Sequence, residues 1–276
     1  MDLAQRLTEL DRLLGSYGSV LVAFSGGADS AFVLARAAGV LGPSSVVAAT
    51  AVSASLPGSE LTAAGRFARG LGVRWETPRT DEMSRDGYRA NAGDRCFFCK
   101  AELLDVLTPL ADRLGLDHVA TGTNADDVAA GFRPGIRAAA DRGAVTPLAA
   151  AGLTKAEVRT ASREMGLSSW DKPAAACLSS RIAYGIEVTP ARLSRVERAE
   201  AALRVALAGA GLPVRDLRVR DLGPAGARVE VDRELVPALA VRPELLAVVD
   251  GFGSVTLDPL GFRSGSLNAT LDERYR

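Results

Sequence analysis

Apolar residues recur along this chain in two periods. Leu3, Leu7, Leu10, Leu13 and Leu14 repeat at helical spacing, so the chain opens with an amphipathic helix that packs on the next elements. Short apolar runs then fall at 20–24, 45–52, 72–77 and 118–122, separated by helical patterns at 30–38, 60–71 and 99–114. Strands alternating with helices predict an α/β domain: a doubly wound parallel sheet covered on both faces, with ligands at the carboxyl ends of its strands. Thr154 and Glu157 form a capping box that opens a helix to about Met165. After a non-helical stretch around Pro173, Thr189 and Pro190 supply the N-cap and first position of a long helix to about Ala208. Residues 217–221, 227–231 and 254–258 read as strands, with a turn at 223–226 and a helix from Arg233 to about Val241. The expected organisation is a large domain over 1–180 and a smaller α+β domain over 187–276, joined around 181–188, without internal repeats.

The first strand carries the chemistry at its end. Ser25-Gly26-Gly27-Ala28-Asp29-Ser30 turns directly from a buried strand into a helix expected to begin near Asp29. Unpaired N–H groups at such a helix start, with its positive dipole end behind them, favour phosphate, and glycine lets the backbone approach an anion. An ordinary turn capped by Asp29 is the plain alternative. The whole string, however, resembles the SGGxDS signature of the PP-loop ATP pyrophosphatases, and no lysine follows the glycines as in a Walker loop. That resemblance implies cleavage of ATP between the α and β phosphates. At the end of the fourth strand, the stretch from Thr121 to Asp127 offers small and polar residues with two adjacent carboxylates, Asp126 and Asp127, suited to magnesium. A turn in which Asn124 or Asp126 caps a helix is the alternative there. Arg133 stands close by as a fixed cation.

Composition narrows the remaining choices. With 276 residues and 47% hydrophobic content the chain has the material for real cores, which excludes disorder. Thirty-three basic and 33 acidic residues cancel, so no whole-chain field favours nucleic acid. The start is not signal-like and no apolar stretch spans a bilayer, so a cytoplasmic protein without a membrane partner is expected. In a reducing compartment three cysteines point to metal binding or reactivity before disulfides. Cys96 and Cys99 bring two thiols to a helix start, where the dipole favours thiolate, and Cys177 stands far along the chain. A structural zinc site needs four ligands, and the single histidine, His118, opens a predicted strand and fits a packed residue better. Three cysteines without a fourth ligand fit a 4Fe-4S cluster with one open iron, a place for exogenous sulfide. Two buried cysteines and an unrelated third remain the alternative.

Six stretches together resemble one family: DRCFFCK at 94–100, TGTNADD at 121–127, FRPGIRA at 132–138, GLTKAEVR at 152–159, WDKPAAACLSSRIAYG at 170–185 and VERAEAALR at 196–204. They are similar in content and order to the LarE family, ATP-dependent sulfur transferases that help build the nickel-pincer nucleotide cofactor of lactate racemase. The resemblance implies that ATP adenylylates a carboxylate of pyridinium-3,5-biscarboxylic acid mononucleotide, pyrophosphate leaves, and sulfur displaces AMP to give a thiocarboxylate, twice. It implies ATP and Mg2+ binding by Ser25, Gly26, Gly27, Asp29, Ser30, Gly122, Asn124, Asp127 and Arg133. It also implies sulfur delivery from a 4Fe-4S cluster on Cys96, Cys99 and Cys177, and approach to substrate phosphate or a metal by Glu200, Arg218, Arg220 and Glu230. Arg218 and Arg220 alternate on a strand and are expected to form a two-cation surface, with a solvated strand face as the alternative. A homo-oligomer is implied as well. A cluster-dependent tRNA thiolase would bring terminal CxxC pairs and a basic surface, which this chain lacks. A nucleotide-binding module without turnover differs by releasing no pyrophosphate, and an ammonia-using synthetase would give the three cysteines no role.

Overall fold

The first strand, β1 (Val20–Ala23), explains the layering around it. Val20 and Val22 point to one face and Leu21 to the other, as strand geometry requires, and all three are buried. β2 (Val46–Ala49), β3 (Arg74–Glu76) and β4 (His118–Ala120) complete a parallel sheet in the order β3-β2-β1-β4. On one face Val20, Val22, Val46 and Ala48 pack with the helices Leu3–Ser16, Ala28–Leu41 and Lys155–Glu164. On the other, Leu21, Ala49 and Val119 pack with Leu104, Leu107 and Ala111 of the helix Arg95–Leu114. The doubly wound α/β fold is therefore present in a computed structural model that describes residues 1–130, 134–173, 177–263, 265–267 and 271. Among the described residues no helix is long and apolar enough to cross a membrane.

Two compact units divide the chain: Met1–Glu82 with Cys96–Ala175, and Met83–Arg95 with Ala176–Arg276. The polar stretch 83–95 groups with the second unit through Asn91, which is wholly buried in a left-handed conformation (φ 53°). Its amide donates to the carbonyls of Ala183 (2.8 Å) and Ile186 (2.9 Å), and its side-chain oxygen accepts from Arg95. Asparagine tolerates this backbone region better than most residues because its short polar side chain bonds locally.

The second unit is built on β5 (Leu217–Asp221), β6 (Ala227–Val231) and β7 (Val255–Leu257), paired antiparallel and then parallel. Leu217, Val219, Val229 and Val231 form its core with Leu203 and Leu207 of the helix Pro190–Gly209. That helix begins where the sequence places it, with the Thr189 hydroxyl accepting from the Arg192 N–H. The capping box of Thr154 and Glu157 is likewise reciprocal. Residues 233–241 are not one helix: a 3-10 turn, Arg233–Leu235, precedes a short helix, Val236–Ala240.

Candidate active site

β1 runs through Phe24 into the glycine turn, and the helix Ala28–Leu41 starts at once. It begins one residue earlier than expected. Gly27 is the N-cap, so Asp29 lies in the first turn and does not cap it. Gly26 has φ +73°, a backbone that side-chain-bearing residues rarely adopt, and so requires glycine. The hydroxyls of Ser25 and Ser30 lie 3.1 Å apart, and Ser30 donates to the Gly27 carbonyl at 3.2 Å. Thr50, buried at the end of β2, donates to the Phe24 carbonyl at 2.8 Å and accepts from the Trp75 ring N–H at 3.0 Å, which fixes the turn from behind.

A cleft of about 330 Å³ opens above this turn, lined by Ser25, Gly27, Asp29, Ser30, Thr50, Lys100, Gly122, Thr123 and Asp127 with apolar neighbours. Six of the expected nucleotide residues thus converge: Ser25, Gly27, Asp29, Ser30, Gly122 and Asp127. Its size falls in the range of small-molecule sites. Gly122 is required by close approach, since a Cβ there would stand 2.7 Å from the Ser30 amide nitrogen. β4 and the phosphate-facing helix start are therefore pressed together. Asn124 takes the capping role: its side chain accepts from Asp127 N–H at 3.0 Å and opens the helix Ala125–Ala129. Its Nδ2 is buried with no hydrogen-bond partner among the described residues. Gly26 faces away from this cleft's lining, and Arg133 lies outside the described residues.

The polar groups in the cleft are unevenly satisfied. Asp29 Oδ1 is buried without a hydrogen-bond partner among the described residues, while Oδ2 lies 3.5 Å from the Lys155 ammonium. Magnesium takes one or two carboxylates and completes its shell with phosphate oxygens and water, so Asp29 with Asp127 is a fitting donor set for a nucleotide-bound Mg2+. Asp126 is engaged elsewhere, accepting from the Lys155 N–H at 2.9 Å, so the adjacent pair does not act as one unit. Lys100 supplies the cleft's cation. Burial pulls its pKa below the ordinary lysine value, against the opposing pull of Cys99, Asp127 and Cys96. Sequence reasoning passed over Lys100, although it ends the DRCFFCK stretch beside Cys99.

All three cysteines are thiols, with Cys96 exposed and the other two partly buried. Cys96 and Cys99 occupy the first turn of the helix Arg95–Leu114 in the first unit, and Cys177 belongs to the second. Among the described residues no group of three or more His, Cys, Asp or Glu side chains gathers as a metal site. His118 instead packs its ring on Tyr17, with centroids 4.8 Å apart.

In the second unit the four remaining expected residues come together, but in a different arrangement. β5 is buried at every position, so neither an open two-cation surface nor a solvated face is found. Glu200 accepts from Arg181 through both oxygens (2.9 and 3.2 Å) and from the Val219 N–H (3.1 Å). Glu230 accepts from Arg220 (2.7 Å), Arg228 (3.3 Å) and the Ser266 hydroxyl (2.8 Å). Arg218 lies over the Phe262 ring, 4.9 Å from its centroid. Burial, and then repulsion from Arg181 and Arg220, lower its pKa to about 10 despite Glu200 and Asp216, so it stays charged at neutral pH.

No family model matches the chain. An uncharacterized protein of Synechocystis is 43% identical over 274 residues, 98% of this chain and 99% of that protein. The pyridinium-3,5-bisthiocarboxylic acid mononucleotide synthase of Lactiplantibacillus plantarum is 34% identical over 274 residues, 98% of this chain and 96% of the synthase. An uncharacterized protein of Methanocaldococcus jannaschii is 27% identical over 163 residues, 59% of this chain and 61% of its own length.

Proposed function

The chain belongs to the LarE family, that of the mononucleotide synthase it matches from end to end, and on that premise we propose that it is an ATP-dependent, AMP-forming sulfur transferase acting on the same class of pyridinium mononucleotide. The end-to-end match carries the substrate class. The glycine turn and its cleft support the ATP half. A carboxylate oxygen of the acceptor attacks the α-phosphorus, the bond to the bridging oxygen breaks, and pyrophosphate leaves with the electron pair. Hydrosulfide then attacks the acyl carbon, and AMP departs as the thiocarboxylate forms.

The chain's own groups suit the first step. N–H groups at the start of the helix Ala28–Leu41 and the hydroxyls of Ser25 and Ser30 face phosphate oxygens. Lys100 stabilises negative charge where it builds up in a partly dry cleft. Asp29 and Asp127 hold the nucleotide's Mg2+, which lowers the cost of placing a polyphosphate beside two carboxylates. In the second unit Arg218, Arg220 and Arg181 provide guanidiniums for the phosphate of the acceptor, with Glu200 and Glu230 fixing their orientation. Cys96, Cys99 and Cys177 would hold a 4Fe-4S cluster, whose fourth iron, free of a protein ligand, supplies a site for replaceable sulfide. Three thiols and no fourth protein ligand are the donor set such a cluster requires.

The test is anaerobic reconstitution followed by incubation with ATP, Mg2+, sulfide and the biscarboxylic mononucleotide, with mass detection of AMP, pyrophosphate and thiolated acceptor. Multiple turnovers with all three cysteines intact are expected, and Cys96→Ala abolishes them. Loss of one cysteine sulfur per product would replace the cluster-bound donor with a sacrificial one.

A further inference from the structure

Gly26 does not line the nucleotide cleft, although both its chain neighbours do. It lines a second groove of about 560 Å³, together with Arg66, Phe67, Ser168, Ser169 and Lys172. The Lys172 ammonium lies 3.0 Å from the Gly26 carbonyl oxygen and 2.6 Å from Glu60 Oε2. An ammonium is thus held directly on the phosphate-facing turn by a neutral carbonyl and one carboxylate. Arg66 is exposed, and no ion pair is formed by it among the described residues. Ser169 is 5% exposed, and its hydroxyl has no hydrogen-bond partner among the described residues. The groove therefore offers two cations, one of them unspent, and an unsatisfied buried hydroxyl beside the turn.

A phosphate chain bound on the turn cannot keep all its charge over the helix start, because α, β and γ groups extend several ångströms. We propose that this groove is a pyrophosphate-binding site: Arg66 and Lys172 hold the β and γ phosphates of ATP and then the pyrophosphate released from it. This rests on the AMP-forming reading of the chain's activity. On binding, Lys172 exchanges the Gly26 carbonyl for a phosphate oxygen, a charge-assisted bond of greater strength, and Glu60 recovers it when the product leaves. The bond broken is that between the α-phosphorus and the bridging oxygen, with the electron pair leaving on pyrophosphate and no redox change.

The experiment is calorimetric titration of the full chain with Mg·pyrophosphate, Mg·ATP without acceptor, and AMP, for wild type, Arg66→Ala and Lys172→Met. Each variant is expected to weaken pyrophosphate and ATP by about tenfold, while AMP, which lacks the β and γ groups, stays within about twofold. Unchanged pyrophosphate affinity in Arg66→Ala overturns the assignment. So does a parallel loss of AMP binding, the signature of a distorted turn. Arg66 is exposed, so its variant keeps the test decisive even where Lys172→Met fails to fold. Wild-type binding of pyrophosphate without AMP formation in the presence of acceptor would sink the proposed reaction and leave the groove standing.

Discussion

Gly122→Ala is the most direct probe of how the fold builds the cleft. Gly122 has no positive φ, so alanine faces no backbone penalty there, and in an open loop this change would stabilise by about 0.4–1 kcal/mol through the unfolded state. The contacts reverse that expectation. The new Cβ would stand 2.7 Å from Ser30 N, 3.0 Å from the Asp29 carbonyl carbon and 3.0 Å from Ser30 Cα. All three are backbone atoms, so no side-chain rotation relieves the clash. Restoring ordinary contact moves the first turn of the helix Ala28–Leu41 by about 0.7 Å, and overpacking of this kind costs about 1–3 kcal/mol. The same turn carries Asp29 and Ser30, and a displacement near 1 Å at a reacting centre costs about 100-fold in rate. Pyrophosphate release under varied ATP should show kcat/KM lowered by about two orders of magnitude, with melting lowered by only a few degrees. Wild-type kcat/KM and Tm in Gly122→Ala would refute the claim that this approach of two backbones sets the site.

Other perturbations separate binding from scaffolding. Asp29→Asn should leave stability unchanged, because the buried Oδ1 has no partner to lose, yet reduce kcat/KM for Mg·ATP by at least about 100-fold; retained activity would remove Asp29 from the metal site. Glu200→Ala strands Arg181 in a buried pair and should lower the urea-derived stability by about 3–5 kcal/mol. Loss of activity at full stability would instead place Glu200 on the ligand. Asp221 is held below its ordinary pKa: burial opposes ionisation, but the Gly223 N–H and the Arg195 and Arg192 guanidiniums outweigh it. Its contribution is therefore fully present above about pH 4 and lost as pH falls through the lower folded value, so Asp221→Asn should flatten the acid limb of stability measured by urea melts. Asn91→Ala leaves the Ala183 and Ile186 carbonyls without their amide donor and should cost about 2 kcal/mol by the same melts.

The periodic elements were legible because each is set by local physics. Apolar runs over 20–24 and 118–122 gave β1 and β4, two of the four strands of the parallel sheet, and Thr154 and Thr189 marked helix starts through their caps. The strands proved shorter than their apolar runs, as β2 covers only Val46–Ala49 of 45–52, because the flanking residues turn into loops that bond outside the ladder. Placement of 83–95 with the second unit was not legible, since it depends on Asn91 reaching carbonyls more than ninety residues away. The same holds for β5: alternation put Arg218 and Arg220 on one side correctly, but only tertiary packing decides that this side is covered. Lys100 and Lys172 lay inside quoted motifs, yet a lysine carries no spacing signal until the chain folds it against a cleft or a carbonyl.

The two units use their carboxylates in opposite ways, and this bears on where bond-making begins. Glu200 and Glu230 each accept from guanidiniums through both oxygens, so their charge is consumed in holding Arg181, Arg220 and Arg228 at fixed angles. Such a carboxylate is a poor metal ligand, because coordination would require breaking a buried pair at a cost of several kcal/mol. Asp29 has the reverse character: one oxygen buried and unmatched, beside a helix start that attracts phosphate. A buried acceptor left unsatisfied costs about 1–3 kcal/mol until something fills it, and a nucleotide-bound cation fills it only when ATP arrives. Binding energy is thereby reserved for the charged, reacting end of the nucleotide, while the guanidiniums of the second unit are pre-oriented and need no rearrangement to accept a phosphate. The resulting order is recognition of the acceptor by a preset surface, with activation delayed until the metal and triphosphate complete the first unit's cleft.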